Sequence, residues 1–129
     1  MMADRPGSLP LPAAAAGTVR LGDLTVNRMG FGAMRVCGPD IWGPPQDRAA
    51  AHRVLRRAFE LGCNFFDTAD VYGPLTNEAL LGRALSDRRN QVIIATKFGF
   101  RVKDGKQVGV ERASRPEDIR AAVEGSLVR

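Results

Sequence analysis

The sequence predicts an α/β protein in which an N-terminal β-hairpin and three strand–helix units make up part of a (β/α)8 TIM barrel. Three observations carry this prediction. Apolar strand segments alternate three times with amphipathic helical segments, which implies parallel strands joined by right-handed crossovers. The strand segments are apolar on both faces, as strands covered on both sides are. Polar residues able to do chemistry follow the strands directly, at the rim where a barrel of this kind carries its active site.

An open dinucleotide-binding sheet is the competing architecture, and it would need G-x-G-x-x-G tightly joining the first strand to the first helix. Gly30-Phe-Gly32-Ala-Met-Arg35 lacks the third glycine, and a loop of more than ten residues precedes the next helical pattern. A barrel usually runs to about 250 residues. The 129 residues here are therefore expected to be its N-terminal part, ending in the third helix.

Residues 1–17 read as a disordered tail, since the apolar run from Ser8 is short, broken by Pro10 and Pro12, and has Asp4 upstream, unlike a secretion signal. Residues 18–129 then form the barrel portion. Thr18–Val26 alternates apolar and polar residues around Gly22-Asp23, a hairpin pattern. The first unit has a strand near Arg28–Gly32 and a helix from about Asp47 to Leu61. That helix places Ala50, Val54, Leu55, Ala58 and Leu61 opposite Arg48, Arg53, Arg56 and Glu60, with Asp47 as N-cap and Gly62 as a left-handed stop. The second unit pairs the strand Cys63–Phe66 with a helix near Asn77–Ser86 that buries Leu80, Leu81, Ala84 and Leu85. The third has the strand Gln91–Thr96, a polar rim loop over Phe98–Ala113 read as flexible, and a helix opened by the capping box Ser114-Arg-Pro-Glu117. Its apolar stripe is Ile119, Ala122, Val123 and Leu127.

Composition excludes several classes of function. With 44% hydrophobic and 26% charged residues, the chain has the balance of a soluble globular protein. The net charge of +5 raises nucleic acid, but the sixteen arginines are scattered and no aromatic residues interleave with Arg53/Arg56/Arg57 or Arg88/Arg89. Nucleic-acid binding needs basic residues clustered on one face, so it is not expected. No segment approaches the roughly 20 apolar residues that span a bilayer. Cys37 and Cys63 read as reduced thiols of a cytoplasmic protein, Cys63 as a small buried hydrophobe. No metal site is assigned.

Asp67 follows directly after Phe65-Phe66, Lys97 after Ile93–Thr96, and Tyr72, the only tyrosine, lies on the loop beyond Asp67. Singly these read as a loop cap, a surface charge and a packing aromatic; at successive strand ends they read as a site. A tyrosine hydroxyl ordinarily titrates near 10 and is a poor proton donor at neutral pH. A cation about 4 Å away contributes roughly 4 kcal/mol at an effective dielectric near 20, favouring the phenolate. Lys97 supplies that cation, and Asp67 the anion that keeps a buried lysine charged. Such a trio suits a phenol acting as general acid toward a carbonyl oxygen.

Phe65-Phe-Asp-Thr-Ala-Asp-Val-Tyr-Gly73, followed by Asn77-Glu78, Leu81-Gly82 and Leu85 and then by Val92-Ile-Ile-Ala-Thr-Lys-Phe-Gly99, resembles the signature of the aldo-keto reductase family. Met29–Met34 resembles the end of that family's first barrel strand, and the preceding hairpin resembles the plug over the barrel's bottom. The resemblance covers residues 18–129. It implies NADPH-dependent reduction of a small-molecule aldehyde or ketone, with Tyr72 as general acid tuned by Lys97 and Asp67. It also implies that Gly32, Ala33, Met34 and Asp67 lie beside the cofactor. Trp42, with Tyr72, is a candidate wall of the substrate pocket. Asp70, lacking the family's five-residue offset to the tyrosine, is given a solvated loop position. The family's fourth catalytic residue is a His at the end of strand four; the only His here, His52, falls on the outside of the first helix and cannot serve. The chain alone is accordingly expected to be inactive, and a non-catalytic NADPH-binding regulatory module or an inactive truncated product stands as the alternative.

Overall fold

The computed structural model describes residues 9–104 and 106–129. Strands β1 (Thr18–Leu21) and β2 (Leu24–Asn27) form the antiparallel hairpin. Three units follow: β3 (Phe31–Gly32) with α1 (Arg48–Glu60), β4 (Phe65–Asp67) with α2 (Thr76–Leu85), and β5 (Ile93–Ala95) with α3 (Pro116–Val128). Between β5 and α3 stand β6 (Phe100–Lys103) and β7 (Lys106–Arg112). The central sheet runs β3-β4-β5, all parallel, and is open rather than closed.

The middle strand organises the core. Phe66 is fully buried, its ring 5.9 Å from that of Phe31, and Leu55 of α1 and Leu81 and Leu85 of α2 pack into the same cluster. All four residues expected to line α2 are buried. Helix α1 starts as its sequence dictates, with Asp47 Oδ1 accepting from the Ala50 N–H at 2.8 Å. Its buried residues are Ala51, Leu55 and Ala58, whereas Val54, expected on that face, is exposed. Val54 lies about 60° around the helix from Ala51, on the shoulder of the stripe. Gly62 adopts φ +99° and ends the helix, and the Cys63 N–H closes back on Ala58 O at 3.0 Å. Both cysteines are free thiols.

The hairpin is fastened beneath the sheet by two asparagines. Asn27 donates Nδ2 to Gly62 O at 2.6 Å, and its N–H donates to Asn64 Oδ1 at 2.8 Å, just before β4 begins.

Three expectations need correction. The tail is ordered where the structure describes it: Ala13 is buried and donates its N–H to Leu61 O at 2.9 Å, docking the chain on the end of α1, while residues 1–8 lie outside the described residues. The segment expected as a flexible loop at Phe98–Ala113 is the antiparallel β6–β7 hairpin, closed at its base by the Ala113 N–H on Gly99 O at 3.0 Å. Helix α3 begins one residue later than expected, since Pro116 takes its first position. Its cap is therefore Asp118 accepting from the Arg115 N–H at 3.4 Å, not Glu117. None of its residues is buried, and Val123 and Leu127 are exposed. Among the described residues no helix is long and apolar enough to cross a membrane.

Phe66→Ala should cost about 3–5 kcal/mol of unfolding free energy, as large-to-small core changes do. Val54→Ala should stay within about 0.5 kcal/mol, as exposed substitutions do. Urea unfolding of both variants checks the core assignment; equal losses would contradict it.

Candidate active site

The register of the parallel sheet sets the site. Asp67, the last residue of β4, stands between Gly32 of β3 and Ala95 of β5. Lys97 lies two residues past the end of β5 and reaches back across this rim. Its Nζ donates to Asp67 Oδ1 at 2.5 Å, to Thr68 O at 2.8 Å and to the Tyr72 hydroxyl at 3.4 Å. An ammonium has three donors, so all are used. The charge also sits 5.1 Å from the Tyr72 ring centroid, within cation–π range. The expected trio is brought together.

Its environment is wetter than expected, because the side chains of Lys97 and Asp67 are 46% and 44% exposed. Burial alone pulls the Lys97 ammonium down, but hydrogen bonds to Asp67 and Tyr72 outweigh it and the group is held above its ordinary range. It is therefore a cation throughout neutral pH. Exposure also weakens the Coulomb estimate, from roughly 4 kcal/mol toward the roughly 1 kcal/mol of a pair in water.

Tyr72 is held by a turn built for it. The Tyr72 N–H donates to Ala69 O at 3.2 Å, and the Asn77 N–H donates to Tyr72 O at 3.2 Å. Gly73 adopts φ +90°, and a Cβ there would run into the Thr76 side chain, so only glycine fits. The Gly73 N–H donates to Ile41 O at 2.7 Å, tying this turn to the loop after β3. Ile41 itself holds φ +69°, a conformation that strains a β-branched residue. Trp42, 40% exposed, follows directly, so the candidate pocket wall stands beside the Tyr72 turn.

At the end of β3, Gly32 is exposed, and no atom lies within 4 Å of where its Cβ would be. Met34 is also exposed. Ala33 is buried in the core, and its carbonyl accepts from Asn77 Nδ2 at 3.0 Å. His52 is exposed on α1. Among the described residues no cluster of His, Cys, Asp and Glu fit for a metal ion is present.

A sequence model of the aldo/keto reductase family matches residues 28–129. The chain belongs to the aldo/keto reductase family. It is 51% identical over 99 residues to an uncharacterized oxidoreductase of Schizosaccharomyces pombe, covering 77% of this chain and 32% of that protein. It is 39% identical over 113 residues to the pyridoxine 4-dehydrogenase of Escherichia coli, covering 88% and 39% respectively. The glycerol dehydrogenase of Gluconobacter oxydans superposes with a TM-score of 0.70 at 37% identity, over 88% of this chain and 36% of that one. The holo form of an aldo-keto reductase from Bacillus halodurans gives 0.70 at 36%, over 86% and 35%. The chain thus spans roughly a third of the length of the relatives it matches.

The chain carries a polar layer beneath the rim that the sequence reading did not assign. Asn77 and Glu78 are buried at the start of α2, and they accept the hydroxyls of Thr68 and Thr96 at 2.6 Å each. Ser126 and Arg129 of the α3 end also bond Glu78, at 2.8 and 2.7 Å. Asn77-Glu78 stood out in the sequence as part of the signature, but nothing there gave its partners. Asp70 corrects an expectation outright: it is buried, not solvated, and its Oδ1 has no hydrogen-bond partner among the described residues. Its N–H points to Lys97 O at 3.5 Å, and its carbonyl accepts from the Leu75 N–H at 2.7 Å, so the backbone on both sides of the carboxyl is tied down. A cavity of about 440 Å³ lies nearby between α2, β5 and α3, touching Thr68, Glu78 and Thr96 but none of the trio.

Burial pushes the Asp70 carboxyl up, the neighbouring Glu78 carboxylate adds to this, and the Val71 N–H and the Arg129 cation only partly oppose it. A carboxyl raised in the fold binds its proton more tightly there than in the unfolded chain, so its ionisation destabilises the fold as pH rises through the folded value. Asp70→Asn should therefore raise the melting temperature at pH 7. The gain should vanish as pH falls below about 4, the ordinary carboxylate range, where both carboxyl forms are neutral. Thermal melts across that range test this, and an unchanged or lowered melting temperature at pH 7 would contradict it.

Proposed function

We propose that these residues serve the NADPH-dependent reduction of a small aldehyde or ketone, with Tyr72 as general acid and with Lys97 and Asp67 setting its charge environment. The observation that carries this reading is the single ammonium shared between Asp67 Oδ1 and the Tyr72 hydroxyl. The names of two relatives, a pyridoxine and a glycerol dehydrogenase, agree with chemistry between an alcohol and a carbonyl.

The rim fits the reacting end of a nicotinamide cofactor. Gly32 leaves open space above the end of β3, and Met34 and Asp67 flank it, exposed and half-exposed. Those three residues would hold it, with Ala33 as buried support. When bound, NADPH supplies hydride to the carbonyl carbon. The proton chemistry falls to residues of this chain. The Tyr72 hydroxyl donates its proton to the carbonyl oxygen, so that an alcohol forms rather than an unstabilised alkoxide. The phenolate left behind lies 3.4 Å from the Lys97 ammonium, which stabilises it until solvent at the half-exposed rim returns the proton. Asp67 keeps that ammonium at the rim. Trp42, beside the Tyr72 turn, offers an apolar wall for the carbonyl compound. The two free thiols suit a reducing, cytoplasmic setting. The full activity is proposed for a barrel of the relatives' length, with this chain supplying acid and tuning pair.

In such a reductase Tyr72→Phe should lower carbonyl reduction by about 10²–10⁴-fold, the usual worth of a positioned general acid. NADPH affinity, followed by fluorescence titration, should change by no more than a few-fold. Turnover near that of the parent would mean that another group donates the proton.

In the same barrel Lys97→Met should lower carbonyl reduction by about tenfold or more, because the phenolate left by proton transfer loses the ammonium that stands 3.4 Å from it. KM for the carbonyl compound should change little. Turnover near that of the parent would remove Lys97 as the stabilising charge.

A further inference from the structure

We infer that Asn77 and Glu78 are positioning residues of this site, which together hold the ends of β3, β4 and β5 at the spacing that lets Lys97 reach Asp67 and Tyr72 at once. The inference rests on the proposed reading of that trio.

A helix packed on a sheet normally presents an apolar stripe, as Leu80, Leu81, Ala84 and Leu85 do here. An amide and a carboxylate buried in its first turn are costly unless every polar atom is bonded. They are bonded, and their partners are the residues next to the rim groups. Asn77 Oδ1 accepts from Thr68 Oγ1 at 2.6 Å, and its Nδ2 donates to Ala33 O at 3.0 Å and Val36 O at 2.8 Å. Glu78 Oε1 accepts from Thr96 Oγ1 at 2.6 Å. Thr68 follows Asp67, Thr96 precedes Lys97, and Ala33 follows Gly32. One helical turn thus grips all three strand ends.

The residue types match the task. Position 77 needs one acceptor and two donors on one side chain, which an amide has and a carboxylate lacks. Position 78 receives only donors, from Thr96, Ser126 and Arg129, which suits a side chain with two acceptor oxygens. Thr68 transmits the hold. Its N–H donates to Ala95 O at 2.8 Å, its hydroxyl goes to Asn77, and its carbonyl accepts from Lys97 Nζ at 2.8 Å. With Thr68 or Thr96 released, the half-exposed lysine regains its rotamer freedom and its ammonium drifts from Tyr72.

The test leaves the trio intact. Thr68→Val and Thr96→Val keep shape and remove only the hydroxyl bonded to Asn77 or Glu78; Thr68→Ser and Thr96→Ser keep the hydroxyl. Each is made in a barrel of the relatives' length, and carbonyl reduction is read with a thermal melt alongside. Each valine variant should lose about tenfold in kcat with little change in KM, the loss expected when proton transfer alone is disturbed. Each serine variant should restore it. A valine variant that melts lower yet keeps the parent's kcat would show that the residue bonded to it merely packs, and would overturn its positioning role. Lys97→Met separates the two readings. If it leaves kcat unchanged, the acid site itself fails; if it lowers kcat and the valine variants do not, only the positioning role fails.

Discussion

One ammonium group joins the rim. Lys97 spends its three N–H donors on a strand end, a backbone carbonyl and a phenol, each from a different part of the β4 segment. With both charges nearly half exposed, the pair with Asp67 is worth little as a source of stability. It matters as a device for placing charge. Such a contact persists only if the backbone on both sides is already fixed, so the geometry depends on what lies beneath it. That layer is the buried set of Thr68, Asn77, Glu78 and Thr96, where the dielectric is low and each hydrogen bond is both stronger and costlier to lose.

Strand alternation makes this layering possible. Phe66 points into the core and is fully buried, while its neighbour Asp67 emerges half exposed at the rim. The same two-residue period fixes register: Phe66 pairs with Phe31 and Ile94, and Asp67 with Gly32 and Ala95. A slip of one residue would put the carboxylate into the core and the ring into solvent. The apolar cluster around Phe66 therefore specifies where the chemistry stands as well as holding the sheet. Small residues at Gly32 and Ala95 on either side of Asp67 leave its carboxylate accessible to Lys97.

Sequence periodicity was enough to read the strand–helix order, the α2 stripe and the convergence of Asp67, Tyr72 and Lys97, because each follows from local pattern plus parallel pairing. What failed depended on distant partners or on a single capping choice. Val54 sits on the shoulder of its stripe, where three- and four-residue spacings alone do not separate buried from exposed. Pro116 displaced the start of α3 by one residue and handed the cap to Asp118. The β6–β7 hairpin carried a legible signal, Asp104-Gly105 between two extended runs, that the polarity of the segment obscured. Asp70 looked like a loop carboxylate because nothing in the sequence tells that the turn holding Tyr72 folds it inward. The Asn77 and Glu78 contacts span 9 to 51 residues of chain, and no helical or strand periodicity gives their partners.

Unfavourable local features gather around that same turn. Ile41 and Leu75 both hold positive φ, Asp70 is buried with an oxygen unbonded among the described residues, and it lies close to the Glu78 carboxylate. Each costs of order 1–3 kcal/mol in isolation, and none belongs to the apolar core. All are tied to the Tyr72 turn: Ile41 O receives the Gly73 N–H, and Asp70 O receives the Leu75 N–H. A turn chosen for stability alone would avoid these conformations, since a glycine or asparagine at either position would relax them. Their concentration at one turn, beside the only tyrosine and the lysine that contacts it, is the pattern expected where a fold gives up local stability to hold a reactive group in place.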